Sequence, residues 1–435
     1  MKWKPKIFAI RMFLGLGVGL PLLAVGALAG CATKGDGGAA KERPIPRATV
    51  CSPGLAVLET LRGGLSGDVA AGIAWGEGGN SIAAGAFSGV KVWNLGRNPS
   101  GKAAPSLHFP YKRSGIGRGR PMSPNALIEQ GDAFAVSLLV AGHQGARPRM
   151  VMDWYSRSNF RFLRSYVIRL ADARDMGVQV IAPPRGTWFA TLPFDAPSWA
   201  RIQVWNSQNG SPLPLKLPAI WQVQNSIFCD RAGQEVGWVS SGHYVHFAKL
   251  EPTVVSRIRL VSEPVMKGAL SPDGRYIFLL TSSDVSNPAD VRAILAPRSG
   301  AGFEKVINLS NGAFGGHSRF PTAPPVFSPA GNLVAFSFLS VHAKHTFWVD
   351  VFIASVHRYQ ILYRARIPGE VPMALSFSPG GRKLAVVGRR KIFVLGISSP
   401  NPGYKPRYWK ARLPQHWMTI PPTPVSPPIL RNVGE

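Results

Sequence analysis

Acidic residues are scarce in this sequence of 435 residues, which has 22 Asp and Glu against 50 Lys and Arg. Paired carboxylates, a common basis of general acid–base catalysis, are therefore not expected. The chain also lacks a complete P-loop, a G-x-S-x-G nucleophile turn, an HExxH pair and a CxxC pair. These absences favour a non-catalytic protein and leave an enzyme as the alternative.

Sustained helical periodicity is also missing from the body of the chain. Glycine (47 residues) and proline (39 residues) are both abundant, which is typical of a chain with many turns. A hydrophobic content of 45% is sufficient for a buried core. We therefore predict an all-β fold.

Only three cysteines are present, and Cys31 has a distinctive context. A basic start with no acid precedes an apolar stretch over residues 12–28, which ends in Leu28-Ala29-Gly30-Cys31. This pattern resembles a bacterial lipoprotein signal. The resemblance implies cleavage before Cys31, covalent lipid such as palmitate on that residue, no other cofactor, and a place in the cell envelope. Ala32 after the cysteine implies the outer rather than the inner membrane; an uncleaved membrane anchor is the alternative.

Four regions follow from this interpretation. They are a signal peptide (1–30), a lipidated cysteine with a flexible tether (31–50), a repeat domain (51–397) and a basic, aromatic and proline-rich tail (398–435). The remaining cysteines, Cys51 and Cys229, are available for a disulfide in an oxidising compartment. They lie far apart in the repeat pattern, so their pairing stays open.

The repeat domain contains copies of one pattern, an apolar strand, a glycine turn and a second apolar strand. The clearest copies lie at 269–280, 326–337 and 376–387, and weaker ones at 73–85, 127–137, 180–191 and 227–239. Their turn glycines are Gly79, Gly131, Gly186, Gly233, Gly274, Gly331 and Gly381, separated by 41 to 57 residues. Seven repeats of this length predict a seven-bladed β-propeller, in which each glycine adopts a positive φ.

Two features of the repeats resemble known propeller families. The Ser-Pro-x-Gly turns before apolar strands are similar to the repeats of Tol-type periplasmic proteins. Val92-Trp93-Asn94 and Val204-Trp205-Asn206 resemble the Trp-Asp endings of WD-repeat proteins, with Asn in place of Asp. Because that Asp is replaced, the hydrogen-bond network of WD repeats is not assumed here. We read Trp75, Trp188 and Trp238 as core residues.

The last blade has only three predicted strands. Its fourth strand comes either from Pro53–Leu61, which would close the ring with the N-terminal segment, or from Tyr408–Leu413 downstream. The first of these is slightly favoured. Closure matters because an open propeller exposes an unpaired strand edge.

The net charge of +28 would fall to +24 on removal of residues 1–30, which carry four positive charges and no acid. A cationic surface attracts polyanions, and an envelope location favours lipopolysaccharide or an acidic glycan over nucleic acid. Adaptation of the surface to an acidic medium explains the charge equally well.

Three segments combine basic residues with features of binding sites. The glycine-rich loop 111–120 has the composition to wrap an anion, the 404–417 tail interleaves aromatic and basic residues, and a link between blades carries a histidine and an arginine. The candidate residues for binding an anion or a partner are Lys112, Arg113, Arg118, Arg120, His317, Arg319, Lys405, Arg407, Lys410 and Arg412. Solvated linkers, and a tail packed on the propeller, are the alternatives.

Histidines provide weak candidates for a metal site. His243 with His246, and His342 with His345, are placed by the repeat pattern in connections between a second and a third strand. Ordinary polar loop histidines are the alternative interpretation. The sequence therefore favours an envelope-anchored scaffold that binds a membrane-associated protein or complex, with a binder of anionic glycan or lipopolysaccharide, or a metal-dependent propeller enzyme, as alternatives.

Overall fold

The structure is a computed structural model. It describes residues 50–52, 54–61, 72–86, 88–96, 102–103, 105–111, 122–140, 149–170, 178–193, 202–215, 217, 226–239, 244–250, 253–259, 265–282, 291–298, 305–307, 319–341, 347–368, 371–388 and 391–398. These residues form strands and turns without any helix, and so none of them forms a membrane-spanning helix.

In the described part of the chain, thirty strands form seven sheets, which we number as blades along the chain. Their pairings are antiparallel except that of β2 with β6, which is parallel. The chain first forms β1 (Val50–Cys51) and β2 (Leu55–Leu61). Blade 1 and its insertion contain β3 (Ile73–Trp75), β4 (Ser81–Ala86), β5 (Gly89–Asn94), β6 (Lys102–Ala103) and β7 (Leu107–Phe109). Blade 2 contains β8 (Met122–Gln130), β9 (Ala133–Val140), β10 (Arg149–Ser156) and β11 (Phe162–Arg169). Blade 3 contains β12 (Val178–Ile181), β13 (Trp188–Pro193) and β14 (Gln203–Asn206).

The remaining strands continue in the same order. Blade 4 contains β15 (Ile227–Cys229), β16 (Glu235–Val239), β17 (Tyr244–Leu250) and β18 (Thr253–Arg259). Blade 5 contains β19 (Val265–Leu270), β20 (Tyr276–Ser282), β21 (Val291–Pro297) and β22 (Lys305–Ile307). Blade 6 contains β23 (Arg319–Pro321), β24 (Val326–Phe327), β25 (Leu333–Val341), β26 (Phe347–Ser355) and β27 (Gln360–Pro368). Blade 7 contains β28 (Ala374–Phe377), β29 (Lys383–Val387) and β30 (Ile392–Ile397).

The first strand of each blade is the innermost. These first strands pack against those of neighbouring blades, as β12 does against β8 and β15, and β28 against β24 and β3. The contacts between β28 and β3 join the last blade to the first. The predicted seven-bladed propeller is therefore confirmed.

Closure of the ring uses the N-terminal segment. Strand β2 pairs with β30 in antiparallel register, from Leu55 opposite Ile397 to Leu61 opposite Ile392, and so supplies the fourth strand of blade 7. The alternative strand, Tyr408–Leu413, lies outside the described residues. Strand β1 also pairs with β27 at the outer edge of blade 6, and β6 pairs with β2. The entering chain therefore covers the outer edges of two adjacent blades, which would otherwise be open to pairing with other strands.

The Ser-Pro-x-Gly turns owe their shape to both the glycine and the serine. In blade 5 the Gly274 N–H donates to the Ser271 carbonyl at 2.9 Å, and Gly274 has φ of +71°. The Ser271 hydroxyl then accepts from the Tyr276 N–H at 2.8 Å, which starts the next strand. The turns of blades 6 and 7 repeat both bonds, through Ser328 and Ser378. The serine is thus part of the hairpin, a role that its frequency in the repeats did not reveal.

Positive φ holds for six of the seven turn glycines and not for Gly186. The prediction was therefore wrong for blade 3, where Pro183, Pro184 and Gly186 make a different turn. Gly186 is needed there for space instead, because its Cα lies against Gly233 of blade 4 and a Cβ on Gly186 would clash with the Pro183 ring. Glycine therefore meets two different requirements in equivalent turns.

Apolar side chains fill the seams between blades. One cluster joins Phe278 and Leu280 of blade 5 to Phe336 and Phe352 of blade 6, and similar clusters fill the other seams. Trp75, Trp188 and Trp238 are 0%, 4% and 2% exposed, which confirms their assignment to the core. Burial of a large apolar side chain stabilises the fold by roughly 1.5–3 kcal/mol, so these seams are the main stabilising feature of the ring.

Hydrogen bonds from side chains join the innermost strands of blades 2 to 5. Asn125 of blade 2 donates to the Val178 carbonyl at 2.6 Å and accepts from the Val178 N–H at 3.0 Å. Gln179 binds both backbone groups of Ile227 in the same way, at 3.3 and 3.1 Å. Ser226 then binds both groups of Gly268. On the innermost strands of blades 3, 4 and 5, the N–H and the carbonyl of one residue are therefore satisfied by a side chain of the preceding blade.

The two cysteines of the domain are free thiols. Cys51 lies on β1 beside blade 6, whereas Cys229 ends the innermost strand of blade 4. Burial raises the pKa of both thiols, and the neighbouring Asp230 carboxylate adds to this effect at Cys229. The pairing that the sequence left open is therefore not made in this structure.

Candidate interaction face

The propeller has two faces, which carry different connections between strands. We call the face with the turns between first and second strands, and between third and fourth strands, the turn face. The opposite face, with the connections between second and third strands and between blades, is the loop face. The described residues include most of the turns of the turn face, from Gly76 in blade 1 to Lys383 in blade 7.

Most of the site residues predicted from the sequence lie outside the described residues. This holds for Lys112, Arg113, Arg118, Arg120, His317, His243, His342, His345, Lys405, Arg407, Lys410 and Arg412. Arg319 begins β23, where only its backbone is described. These candidates therefore stay predictions.

His246 is the one predicted metal ligand whose side chain is described, and it is not in a connecting loop. It lies within β17, directly opposite Trp238 of β16. The two rings stack with centroids 5.2 Å apart and planes only 7° from parallel. The loop assignment was wrong because the third strand begins earlier than the repeat pattern indicated. Among the described residues, no three His, Cys, Asp or Glu side chains come together as a metal site.

Four cations fasten the turns of different blades to one another. We call Arg157, Arg231, Arg298 and Lys383 the clamp cations. Arg157 of blade 2 donates to the Trp75 carbonyl of blade 1 at 2.9 Å, and Lys383 of blade 7 donates to the Gly79 carbonyl of blade 1 at 3.1 Å. Arg231 reaches from blade 4 to the Pro329 carbonyl of blade 6 at 3.1 Å, across the intervening blade.

Arg298 joins blades 5 and 4 by a different combination of contacts. Its guanidinium forms a two-pronged ion pair with the buried Glu235 carboxylate. The central carbon of this guanidinium also lies 4.7 Å from the centre of the Phe247 ring. Ion pairs of this geometry are stronger than single-contact surface pairs, because both carboxylate oxygens are held. Blade 5 is therefore fixed to blade 4 at the turn face as well as in the apolar seam.

The Glu129 carboxylate also joins blade 2 to blade 1 at the turn face. Glu129 accepts from the Trp75 N–H at 2.7 Å and lies 3.5 Å from the Arg157 guanidinium. Burial raises the pKa of this carboxyl, and Arg157 and the hydrogen bond only partly offset that effect. Further bonds join the Gly131 N–H to the Pro184 carbonyl and the Trp188 indole to the Gly233 carbonyl. The turns of this face thus form a connected rim rather than independent hairpins.

A second group of cations on the turn face is exposed. Blade 2 presents Arg161, and the exposed cations of blades 3 to 7 are the ones we call the arc cations. The arc cations are Arg185 of blade 3, Lys249 of blade 4, Arg275 of blade 5, Arg358 of blade 6 and Arg382 of blade 7. Within the described part of the chain, the side chains of all but Arg275 make no hydrogen bond or ion pair. Arg275 lies 3.8 Å from Asp273 and keeps 81% of its side chain exposed. Five successive blades therefore each present one exposed cation.

Exposed acids on this face are concentrated at the other side of the ring. Glu77 lies in the turn of blade 1 and Asp132 in the turn of blade 2. Asp273 of blade 5 is engaged by the Ser271 hydroxyl at 2.6 Å and the Arg275 N–H at 3.1 Å, and these bonds outweigh desolvation and lower its pKa. The arc from blade 3 to blade 7 is therefore the positive side of the face. Sequence reasoning missed it, because the arc residues are spread over about 200 positions, from 185 to 382.

The fold defines the chain as a seven-bladed β-propeller, and a fold of this kind does not by itself fix a function. One similar solved structure is the β-propeller domain of Cps50 (Swd1) from Myceliophteria thermophila. It aligns with a TM-score of 0.51 at 15% identity, covering 79% of this chain and 100% of that domain. No family model and no curated protein matches the sequence.

Proposed function

We propose that this protein is a lipid-anchored scaffold of the bacterial cell envelope, which docks a partner protein or complex on its propeller. The observation that carries this proposal is the cross-connected rim of the turn face. Its turns are held by the clamp cations and by bonds between blades, so the surface is ordered before any partner arrives. A preordered surface loses little conformational entropy on binding, which favours affinity.

The envelope location is supported by the pattern that ends at Cys31. Strand β1 enters beside blade 6 and β2 closes blade 7, so the tether leads directly into the ring closure. A tether attached at this point carries any pull onto paired strands rather than onto a loop end. Two or three acyl chains would anchor the protein firmly, since each buried methylene contributes about 0.8 kcal/mol.

The anchor is tested with the full-length protein and its Cys31→Ala variant. We expect the wild type in the membrane fraction, with a mature N-terminus at Cys31 that carries acyl mass. The variant should keep residues 1–30, because the small-residue site is processed only before cysteine. An unmodified Cys31 in a cleaved or uncleaved wild-type protein would overturn the lipid anchor.

The scaffold role is tested by crosslinking the native protein in its own membranes and identifying what is joined to it. We expect one stoichiometric partner, recovered at the same ratio over a range of crosslinker concentrations. Recovery of the protein by itself under the same conditions would contradict docking. A propeller that binds only membrane lipid, and no protein, would give that result.

Binding of an anionic glycan or lipopolysaccharide is a second candidate function. The observation that favours it is the positive arc from Arg185 to Arg382 on the turn face, together with the net charge of +28. Retention of the protein on immobilised lipopolysaccharide should fall steeply as ionic strength rises, because exposed charges are screened within about 10 Å at 0.1 M salt. Retention that salt does not change would remove this candidate.

A further inference from the structure

We propose that the arc cations of the turn face bind an acidic segment of a partner protein. This inference rests on the proposed scaffold function and assigns to it a face and a partner chemistry. The partner segment is extended and rich in Asp or Glu, so that its carboxylates meet Arg185, Lys249, Arg275, Arg358 and Arg382 in turn. The proposal concerns the described turn face and is independent of the basic loop at 111–120.

The first argument is the division of the cations into two groups. The side chain of each clamp cation is hydrogen-bonded to a carbonyl or a carboxylate of another blade. Four of the arc cations stand in similar turns and Lys249 lies near the end of β17, and all five side chains are exposed. Arg382 and Lys383 show the contrast at adjacent positions, since Lys383 binds the Gly79 carbonyl and Arg382 is exposed. The arc cations are therefore not needed for these contacts between blades.

The second argument is the electrostatic asymmetry of the face. The exposed acids Glu77 and Asp132 belong to blades 1 and 2, outside the arc, and the exposed Arg161 of blade 2 offsets only one of these two charges. Between blades 3 and 7 the exposed acid is Asp273, which already accepts two hydrogen bonds. Like charges held at neighbouring blades repel one another, and a polyanionic partner relieves that repulsion. The arc therefore attracts acidic partners and disfavours basic ones.

The third argument separates an acidic protein segment from an acidic glycan. Protein sites for sugars commonly stack the sugar on an exposed aromatic ring, as aromatic faces do for other ligands. The large exposed apolar side chains among the described residues are Val57, Leu58, Leu107 and Leu163, all aliphatic and all on the outer strands of blades 7, 1 and 2. Four of the five arc cations are arginines, whose planar guanidinium matches a carboxylate with two parallel bonds.

The described residues at the entry of the chain leave the turn face accessible. Strand β1 is antiparallel to β27, which runs from the turn face to the loop face. The entering chain therefore comes from the loop-face side and reaches the turn face at Gly54, whose carbonyl accepts from the Ser398 N–H at 3.0 Å. The described start of the chain therefore lies along the outer edges of blades 6 and 7.

The test compares two double variants of equal charge. Arg358→Glu with Arg382→Glu reverses two arc cations. The matched control, Arg149→Glu with Arg169→Glu, reverses two exposed arginines that pair across β10 and β11 of blade 2, at the strand ends away from the turn face. Circular dichroism and thermal unfolding establish that both variants keep the fold. The probes are labelled poly-L-glutamate and labelled dextran sulfate, measured by fluorescence anisotropy.

We expect the arc variant to bind poly-L-glutamate at least about tenfold more weakly than the wild type, and the control variant to lose no more than about twofold. Equal losses in the two variants would mean attraction by net charge alone and would overturn the proposal. A loss of dextran sulfate binding with unchanged poly-L-glutamate binding would identify a glycan site instead. Crosslinking in native membranes separates this inference from the scaffold proposal. A partner captured equally by wild type and arc variant refutes the arc, whereas no partner for the wild type refutes the scaffold.

Discussion

Lys267 offers a direct test of how the seam between blades 5 and 6 is built. It lies on β19, the innermost strand of blade 5, just after a bulge and opposite Leu280. Leu280 is fully buried in the apolar cluster shared with blade 6, and residues directly opposite on two strands lie on the same face. The Lys267 side chain therefore points toward this apolar seam. Desolvation lowers the pKa of its ammonium group to about 8 from the ordinary value of 10.5.

The lowered pKa converts into a stability difference with a definite sign. Below pH 8 the lysine is charged in both states, and the folded protein bears the full cost of the buried charge. A shift of this size corresponds to about 3 kcal/mol at most, and partial exposure of the side chain reduces it to about 2 kcal/mol. Between pH 8 and 10.5 the folded protein releases its proton first, so its stability rises with pH. Replacement by methionine removes the charge and keeps the stem.

The assay is urea unfolding of wild type and Lys267→Met from pH 6.5 to 10. We expect the variant to be more stable by about 2 kcal/mol at pH 7, with the difference shrinking toward zero above pH 10. The control is Lys249→Met, which replaces an exposed lysine and should change the stability little at any pH. A Lys267→Met variant that is less stable at pH 7, or a difference that does not vary with pH, would refute the argument from desolvation.

Three further predictions concern the contacts between blades and the turns. Gln179→Ala should lower the unfolding free energy by about 1 kcal/mol, because both backbone groups of Ile227 lose their protein partner. Urea unfolding measures this loss, with Gln208→Ala as a control at an exposed site. No loss beyond that of the control would mean that water fully replaces the Gln179 side chain. Glu129→Gln should become progressively more stable than the wild type as pH rises above 4.5, because the raised pKa means that ionising the buried carboxyl lowers the stability of the folded wild type. The melting temperatures of the two proteins over this pH range measure the difference. A difference that falls with pH would show that the ion pair with Arg157 dominates. Gly381→Ala should cost about 1 kcal/mol because its φ is +68°, whereas Gly380→Ala, with open space around its Cβ, should be neutral or slightly stabilising; equal melting temperatures for the two variants would contradict the strain argument.

The fold could be predicted from the sequence because its signal is local and repeated. A turn glycine between two apolar strands needs only a short window to be recognised, and the spacing from Gly79 to Gly381 then gives the number of blades. The four weaker copies are recognised by their spacing from the clear copies and not by the identity of their residues. Blade 4 shows why this succeeds, since Asp230 takes the place of the serine and its carboxylate accepts the Glu235 N–H at 2.9 Å. The geometry of the turn is kept although the motif is lost.

The bonds between innermost strands could not be predicted in the same way. Asn125, Gln179 and Ser226 stand six or seven residues before their turn glycines, but they perform one task with three different side chains, so no shared residue type marks the position. Each reaches a strand that lies 42 to 53 residues further along the chain. Their partners are backbone groups, which leave no trace in the sequence. Only the arrangement of the blades shows that these polar residues are structural.

The same reasoning explains why the arc cations could not be separated from the clamp cations in advance. Arg185 and Arg231 both lie in turns between first and second strands, and both are arginines in a basic chain. The Arg231 side chain is held in a structural contact, because it donates to the Pro329 carbonyl of blade 6. Arg185, by contrast, bonds to blade 4 only through its backbone N–H, which donates to the Arg231 carbonyl. A count of basic residues therefore overstates the charge that a ligand can meet. The charge left exposed after the structural contacts are made is what a partner encounters, and on this face that remainder is concentrated on one arc.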